Sequence, residues 1–64
     1  MVRNYYWVAR DKNGELNLFD GEPLRLSDFF VKRWSFDEVW KLPEDLFVTV
    51  TWENSPKMVL FEYN

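Results

Sequence analysis

The side chains of this chain that could do acid–base chemistry are two adjacent carboxylate pairs, Asp37/Glu38 and Glu44/Asp45. A glycosidase needs two carboxylates about 5–10 Å apart across a cleft, and a chain of 64 residues has little room for one. Histidine and cysteine are absent, which removes the commonest general base, the thiol nucleophile and the main zinc ligands. We therefore predict no enzymatic activity, no catalytic residues, and neither a metal nor another cofactor.

Base stacking beside positive charge is a second possible chemistry. Lys32, Arg33 and Trp34 are consecutive, and Tyr6 lies in an aromatic run at residues 5–7. Such rings can stack on the bases of single-stranded nucleic acid. However, nonspecific affinity comes mainly from Lys and Arg neutralising phosphates, and the chain has only eight basic residues and a net charge of −3. Single-stranded nucleic-acid binding is therefore the alternative function.

Composition also bears on where the protein works. The lack of cysteine fits a reducing compartment. The first seven residues show no apolar stretch like that of a secretion signal, and no run approaches the about 18 apolar residues of a membrane span. We expect a cytoplasmic protein with one domain, residues 1–64, and no membrane partner.

The elements that position these side chains begin with a hairpin. Residues 5–10 have the aromatic and β-branched composition of a strand, and Asn13-Gly14 supplies the positive-φ positions of a tight turn. Residues 15–19 should therefore return antiparallel. If Arg10 lies opposite Glu15, one face of this hairpin is apolar and carries three large side chains, those of Tyr6, Val8 and Phe19.

The middle of the chain predicts short elements. Residues 24–26 alternate like a short strand, and residues 27–33 could be a strand or a single helical turn, of which we favour the strand. Ser35 and Glu38 have the spacing of a capping box, and Trp34 and Val39 that of a hydrophobic staple. Pro43 would end the helix. The pattern predicts one short helix near residues 35–42.

The C-terminal part predicts a second hairpin. Residues 47–52 and 57–64 are rich in β-branched and aromatic residues, and the segment between them, Glu-Asn-Ser-Pro, is typical of a turn. The predicted fold class is therefore α+β: a small β-rich domain of two antiparallel hairpins, with four to five strands and one short helix.

Two stretches carry a resemblance to a known group of proteins. They are residues 7–19, WVARDKNGELNLF, followed by Pro23, and residues 42–56, LPEDLFVTVTWENSP. Both resemble small uncharacterised proteins encoded by bacteriophages and prophages of gut and lactic bacteria. The resemblance implies a phage-related origin and a small sheet-rich fold, and it carries no activity.

The excess of apolar strand faces points to a binding function. Two hairpins with apolar residues on both sides offer more surface than one short helix can cover, and soluble monomers rarely expose large apolar patches. Either the sheet closes into a barrel or a second chain covers it. We predict a protein–protein interaction module that forms a homo-oligomer, with a host protein as another partner. The predicted partner surface comprises Tyr6, Val8 and Phe19.

Overall fold

The fold is described from a computed structural model of the chain, in which residues 1–63 are described. Those residues form two antiparallel sheets and no helix, so the predicted α+β class is wrong and the fold is all-β. The larger sheet has the strand order β5-β2-β1-β6, and the smaller pairs β3 with β4. The strands are Val2–Arg10 (β1), Leu16–Phe19 (β2), Leu24–Arg25 (β3), Phe30–Val31 (β4), Val39–Leu42 (β5) and Lys57–Tyr63 (β6).

The first hairpin, β1–β2, is confirmed, but its predicted register is wrong by one residue. Arg10 pairs with Leu16, not with Glu15. The Asp11 N–H donates to the Glu15 carbonyl (2.7 Å), which leaves a three-residue loop that ends in Gly14 at a φ of 98°. A three-residue loop with glycine in the left-handed region is a standard hairpin connection. Because side chains alternate along a strand, a shift of one residue moves every side chain of β2 to the other face.

The segment predicted to be a helix contains the edge strand β5. Val39–Leu42 pairs antiparallel with β2, and Trp40 lies opposite Leu18. The order valine, tryptophan, lysine, leucine suits a pleated strand in which alternate side chains point to opposite faces. A helix of seven residues has little stability of its own, so pairing with β2 determines the structure of this segment.

The predicted capping box is replaced by a turn. The Trp34 N–H donates to Asp37 Oδ2 (3.2 Å), and the Asp37 N–H donates to the Trp34 carbonyl (3.0 Å). The Glu38 N–H donates to Asp20 Oδ1 (2.8 Å), so Ser35 does not serve as its acceptor. Short polar side chains that accept backbone N–H bonds favour turns as readily as helix caps.

The predicted second hairpin is wrong, although its last strand exists. Residues 47–52 form turns, and β6 pairs with β1, where Tyr6 lies opposite Val59. The Ser55–Pro56 peptide bond that precedes β6 is cis. The fourth strand of the open sheet is therefore added by a pairing between segments near the two ends of the chain. The strands expected at residues 24–26 and within 27–33 are present as β3 and β4.

Arg10 holds the long segment between β5 and β6 against the sheet. Its backbone N–H donates to Ser55 Oγ (2.9 Å). Its guanidinium donates to five carbonyl oxygens, which are those of Val50 (2.6 Å), Gly14 (2.8 Å), Leu46 (3.0 Å), Glu44 (3.1 Å) and Phe47 (3.3 Å). These bonds match the five N–H donors of an arginine. They also hold Phe47 in the left-handed region, at a φ of 47°, which is costly for a bulky residue.

The small β3–β4 sheet covers the other side of the main sheet. Phe30 packs with Ala9 and Phe19, and its N–H donates to Asp11 Oδ1 (2.9 Å). The Arg25 guanidinium carbon lies 3.8 Å from the centre of the Trp52 ring and 5.6 Å from that of Phe30. The Trp52 and Phe30 rings themselves meet edge to face, with centroids 5.4 Å apart. These contacts join the β3–β4 sheet to the long segment between β5 and β6.

The core consists of two small clusters, one on each face of the main sheet. One contains Val8, Leu16 and Val50, and the other contains Ala9, Phe19 and Phe30. Both lie at the end of the sheet near the β1–β2 loop. We call this end, residues 7–10 with 16–19, the sealed half, and we call residues 2–6 with 59–63 the open half.

Candidate functional site

The candidate site is a set of apolar side chains on one face of the main sheet. Tyr6 lies on the central strand β1, and the pairings of β1 and β2 place side chains of all four strands on the same face as Tyr6. We call this face of the main sheet the Tyr6 face and the opposite face the Tyr5 face. Next to the core cluster on the Tyr6 face, five side chains that are exposed or only partly buried form what we call the aromatic patch: Tyr6, Leu18, Trp40, Val59 and Phe61.

Three rings form a row across the patch. The Tyr6 ring meets the Trp40 ring at a centroid distance of 6.1 Å and an interplanar angle of 77°. It meets the Phe61 ring at 5.4 Å and 73°. Edge-to-face contacts of this kind stabilise aromatic pairs beyond the burial of their area. The row therefore fixes the orientation of three large side chains that belong to strands far apart in the sequence.

The aromatic patch is exposed and carries no charge. Trp40 is 42% exposed and Phe61 is 40% exposed, while Tyr6, Leu18 and Val59 are partly buried beneath them. The five residues are three aromatic and two aliphatic side chains, and none of them is acidic or basic. The patch is thus an apolar surface with hydrogen-bonding capacity only at the tyrosine and tryptophan tips.

The Tyr5 face of the open half is apolar as well, but it also carries charge. Tyr5 is 54% exposed and Met58 is 57% exposed. On the same face, Arg3 and Glu62 form an exposed ion pair at 4.0 Å. The Tyr6 face carries one exposed charge, Lys57 on the edge strand β6, opposite Val8. Charges at an interface centre are disfavoured, and the five patch residues are uncharged, so the aromatic patch is the better candidate for a contact surface.

The structure places the three residues of the predicted partner surface in different environments. Tyr6 belongs to the aromatic patch, whereas Val8 and Phe19 are 0% and 1% exposed. Val8 lies in the core cluster of the Tyr6 face and Phe19 in that of the Tyr5 face. The one-residue error in register explains why these side chains had been assigned to a single face.

Sequence reasoning missed Trp40 as a member of the surface. It assigned this residue to a helix, although the alternation of residues 39–42 also fits a strand. Phe61 was assigned to an apolar strand face, but with residues 47–52 as its neighbours. The pairing between β1 and β6 joins residues 49 to 61 positions apart, and no local pattern indicates it.

The residues of the alternative nucleic-acid site are separated in the structure. Trp34 stacks on Phe36 in the β4–β5 loop, with centroids 6.2 Å apart and an interplanar angle of 5°, and the two are 57% and 78% exposed. Lys32 Nζ donates to the Ser35 carbonyl (3.2 Å), and Tyr6 belongs to the aromatic patch. The loop alone retains an exposed aromatic pair beside basic residues.

Some of the carboxylates accept backbone hydrogen bonds. Asp37 accepts the Trp34 N–H, and the buried Asp11 accepts the Phe30 N–H. Burial raises the pKa of Asp11 above its usual value of 3.8, with a smaller increase from the nearby Glu15 charge and an opposing effect of the Phe30 hydrogen bond. Within residues 1–63, no group of three or more acidic side chains is arranged to hold a metal ion.

Comparisons with known proteins add no relative. No protein-family model, no curated protein and no solved structure matches this chain. Among the described residues 1–63 there is also no helix long and apolar enough to cross a membrane.

Proposed function

We propose that this chain is a non-enzymatic protein–protein interaction module that self-associates through its aromatic patch. The observation that carries the proposal is the exposed row of Trp40, Tyr6 and Phe61 across the main sheet. Aromatic side chains are enriched in the centres of protein interfaces, and large apolar patches on soluble proteins mark such sites. The rings already contact one another within the monomer, and side chains ordered before binding lower the entropy cost of association.

A second copy of the chain is the partner that this surface fits best. The protein has a net charge of −3, so two copies repel each other weakly, and contact through an uncharged surface adds no close pair of like charges. The aromatic patch is such a surface. A stable dimer buries about 800 Å² on each partner, and the broad side of the molecule, 37 × 27 Å, is large enough to supply that area.

Substitution of Trp40 tests the proposal. Trp40→Lys places a charge in the patch and should reduce the mass in solution by half at micromolar concentration, because a buried unpaired charge is strongly disfavoured. The matched control is Trp34→Lys, which makes the same substitution at a more exposed tryptophan outside the patch. Light scattering that gave the same mass for wild type and Trp40→Lys would refute the patch as the contact surface.

Single-stranded nucleic-acid binding is the rival, and the stacked Trp34–Phe36 pair favours it. The nearby Arg33 donates to the Glu22 carbonyl (3.4 Å), and the net negative charge opposes phosphate binding. A gel-shift assay with single-stranded DNA at low salt separates the two functions. Retardation that is lost in Trp34→Lys and retained in Trp40→Lys would favour the rival.

Origin and compartment belong to the same proposal. The turn and strand motifs at residues 7–19 and 42–56 support a phage-type protein, for which a host protein would be a further partner. The absence of cysteine supports a cytoplasmic location, where thiols stay reduced.

A further inference from the structure

We infer that the outer edge of β6 pairs with β6 of a second copy through backbone hydrogen bonds, a contact different from the stacking of two aromatic patches. In the strand order β5-β2-β1-β6, β6 has a neighbour on one side only. It is seven residues long. A long edge strand presents a row of unpaired backbone groups, which makes it a template for another strand.

The hydrogen bonds of β1 show which groups of β6 face outward. The Arg10 N–H points towards the β6 side, where it meets Ser55 Oγ, and the Asp11 N–H points towards β2, where it meets the Glu15 carbonyl. Backbone groups of alternate residues point in opposite directions across a strand. The even positions of β1 therefore bond to β6 at positions 57, 59, 61 and 63, since Tyr6 is paired with Val59.

The remaining positions of β6 point away from the sheet. These are Met58, Leu60 and Glu62, whose N–H and carbonyl groups face the outer edge. In the part of the chain that the structure describes, no backbone hydrogen bond outside the sheet and no side-chain hydrogen bond involves the backbone of these three residues. They provide three donors and three acceptors to a new neighbour.

The two edges of the sheet differ in how they are protected. Natural edge strands avoid further pairing by being short, by carrying lysine or proline, or by a bulge. The β5 edge is four residues long, contains Lys41 and is followed by Pro43. The β6 edge also has a proline before it, Pro56, and charges near its ends, Lys57 and Glu62, but it is seven residues long, pairs with β1 without interruption and has an uncharged centre, residues 58–61. The β6 edge is therefore the one open to pairing.

Self-pairing of β6 has one favoured register. A two-fold axis through Leu60, perpendicular to the sheet, pairs the whole strand with itself, so that position 57 lies opposite position 63 of the partner. Val59 then meets Phe61 of the partner subunit, which is a favourable β-branched and aromatic pair. Registers centred on Lys57 or Glu62 would place like charges directly opposite each other, which is unfavourable.

The edge contact and the patch contact together determine the size of the assembly. The edge axis is perpendicular to the sheet, whereas a two-fold axis that stacks two aromatic patches lies parallel to it. Two perpendicular two-fold axes that meet close an assembly of four copies, with a mass of 4 × 7.9 = 31.6 kDa. This closure rests on the proposed function, but the edge pairing does not.

Proline substitution tests the edge. Leu60→Pro removes an outward N–H and no bond to β1, so the monomer should keep its sheet while the mass in solution falls by half. Leu60→Thr is the matched control, because it shortens the same side chain and keeps the N–H, and it should retain the wild-type mass. An unchanged mass for folded Leu60→Pro would overturn the edge pairing and leave the patch proposal intact. A mass halved by Leu60→Pro and unaffected by Trp40→Lys would support the edge pairing and overturn the patch proposal.

Hydrogen exchange on the wild-type protein gives a test that does not depend on a variant's folding. Edge pairing should protect the amides of Met58, Leu60 and Glu62 at high protein concentration and expose them on dilution. The amides of Val59 and Phe61 should stay protected throughout because they bond to β1. Fast exchange of the Leu60 amide at every concentration, beside a protected Val59 amide, would overturn the inference.

Discussion

Strand β1 passes through two environments, and the two ends of one strand show what this small chain can and cannot bury. In the sealed half, Val8 and Ala9 are both 0% exposed, with Val50 over one face and Phe30 over the other. In the open half, Val2 is 44% exposed and Tyr5 is 54% exposed. The strand composition is similar in both halves, so the difference comes from the segments that cover them.

Two covering segments account for the sealed half. The long segment after β5 is held by Arg10, and the β3–β4 sheet is held by Asp11 and by the contact of Arg25 with Trp52. A domain of about 60 residues buries only about 60% of the surface that its unfolded chain exposes. Both covering segments pack on the sealed half. The apolar surface that remains there includes the surface that our proposals assign to other copies.

The largest expected effect is on the core of the sealed half. Phe19→Ala should cost about 3–5 kcal/mol of unfolding free energy because it leaves a cavity, and the equivalent Tyr5→Ala in the open half should cost about 1 kcal/mol or less. A chain of this size has a total stability of roughly 3–10 kcal/mol. Urea unfolding of both variants at one protein concentration measures the contrast, and equal costs would remove the distinction between the halves.

The two arginines of β1, Arg10 in the sealed half and Arg3 in the open half, give a second comparison of the halves, with a smaller expected change in unfolding free energy. Arg10→Lys keeps the charge but cannot reproduce the planar array of donors, and loss of its part-buried and exposed carbonyl contacts should cost about 1–3 kcal/mol. Arg3→Lys alters an exposed pair at 4.0 Å and should cost about 0–0.5 kcal/mol.

Limited proteolysis provides a readout specific to the covering segment. Residues 43–50 should become cleavable in Arg10→Lys, while Arg3→Lys should match the wild type. Resistance of that segment in Arg10→Lys would show that packing of Val50, and not the guanidinium, holds the segment in place.

The sequence predicted local elements better than their partners. The β1–β2 hairpin follows from Asn13-Gly14, and its error in register arose because a four-residue loop was assumed where Asp11 and Glu15 pair and leave three. The terminal strand was recognisable from its composition. Its pairing with β1, however, depends on contacts between chain ends, and composition does not encode them.

Two further errors have a common physical origin. The capping pattern at Ser35 and Glu38 and the strand pattern at residues 47–52 are both real local preferences, but each is worth only about 1 kcal/mol. Pairing of β5 with β2, and the five bonds of Arg10, outweigh them. In the candidate site, the position of Tyr6 could be predicted because the β1–β2 hairpin is a local element. The position of Trp40 could not, because it depends on the pairing of β5 with β2 in a segment predicted to be a helix.

The smallest expected effect separates the halves by their response to pH. Asp11, in the sealed half, is 8% exposed, and its pKa is raised mainly by burial. A carboxyl whose native pKa exceeds its unfolded value binds its proton more readily when folded, so its contribution to stability rises as the pH falls through the native pKa towards 3.8. Asp11→Asn removes this titration and keeps an oxygen that can accept the Phe30 N–H.

The stability of the wild type relative to Asp11→Asn should therefore increase as the pH falls from 7 to 3, and it should level off below the unfolded pKa. The control is Glu62→Gln in the open half, which makes the corresponding acid-to-amide change at an exposed carboxylate beside Arg3. Urea unfolding at each pH, at one protein concentration, gives both differences. A gap between wild type and Asp11→Asn that moved the other way would mean that the Phe30 hydrogen bond to Asp11 outweighs burial. A constant gap would mean that Asp11 is solvated in the folded protein. The β3–β4 sheet would then cover the sealed half less tightly than its contacts indicate.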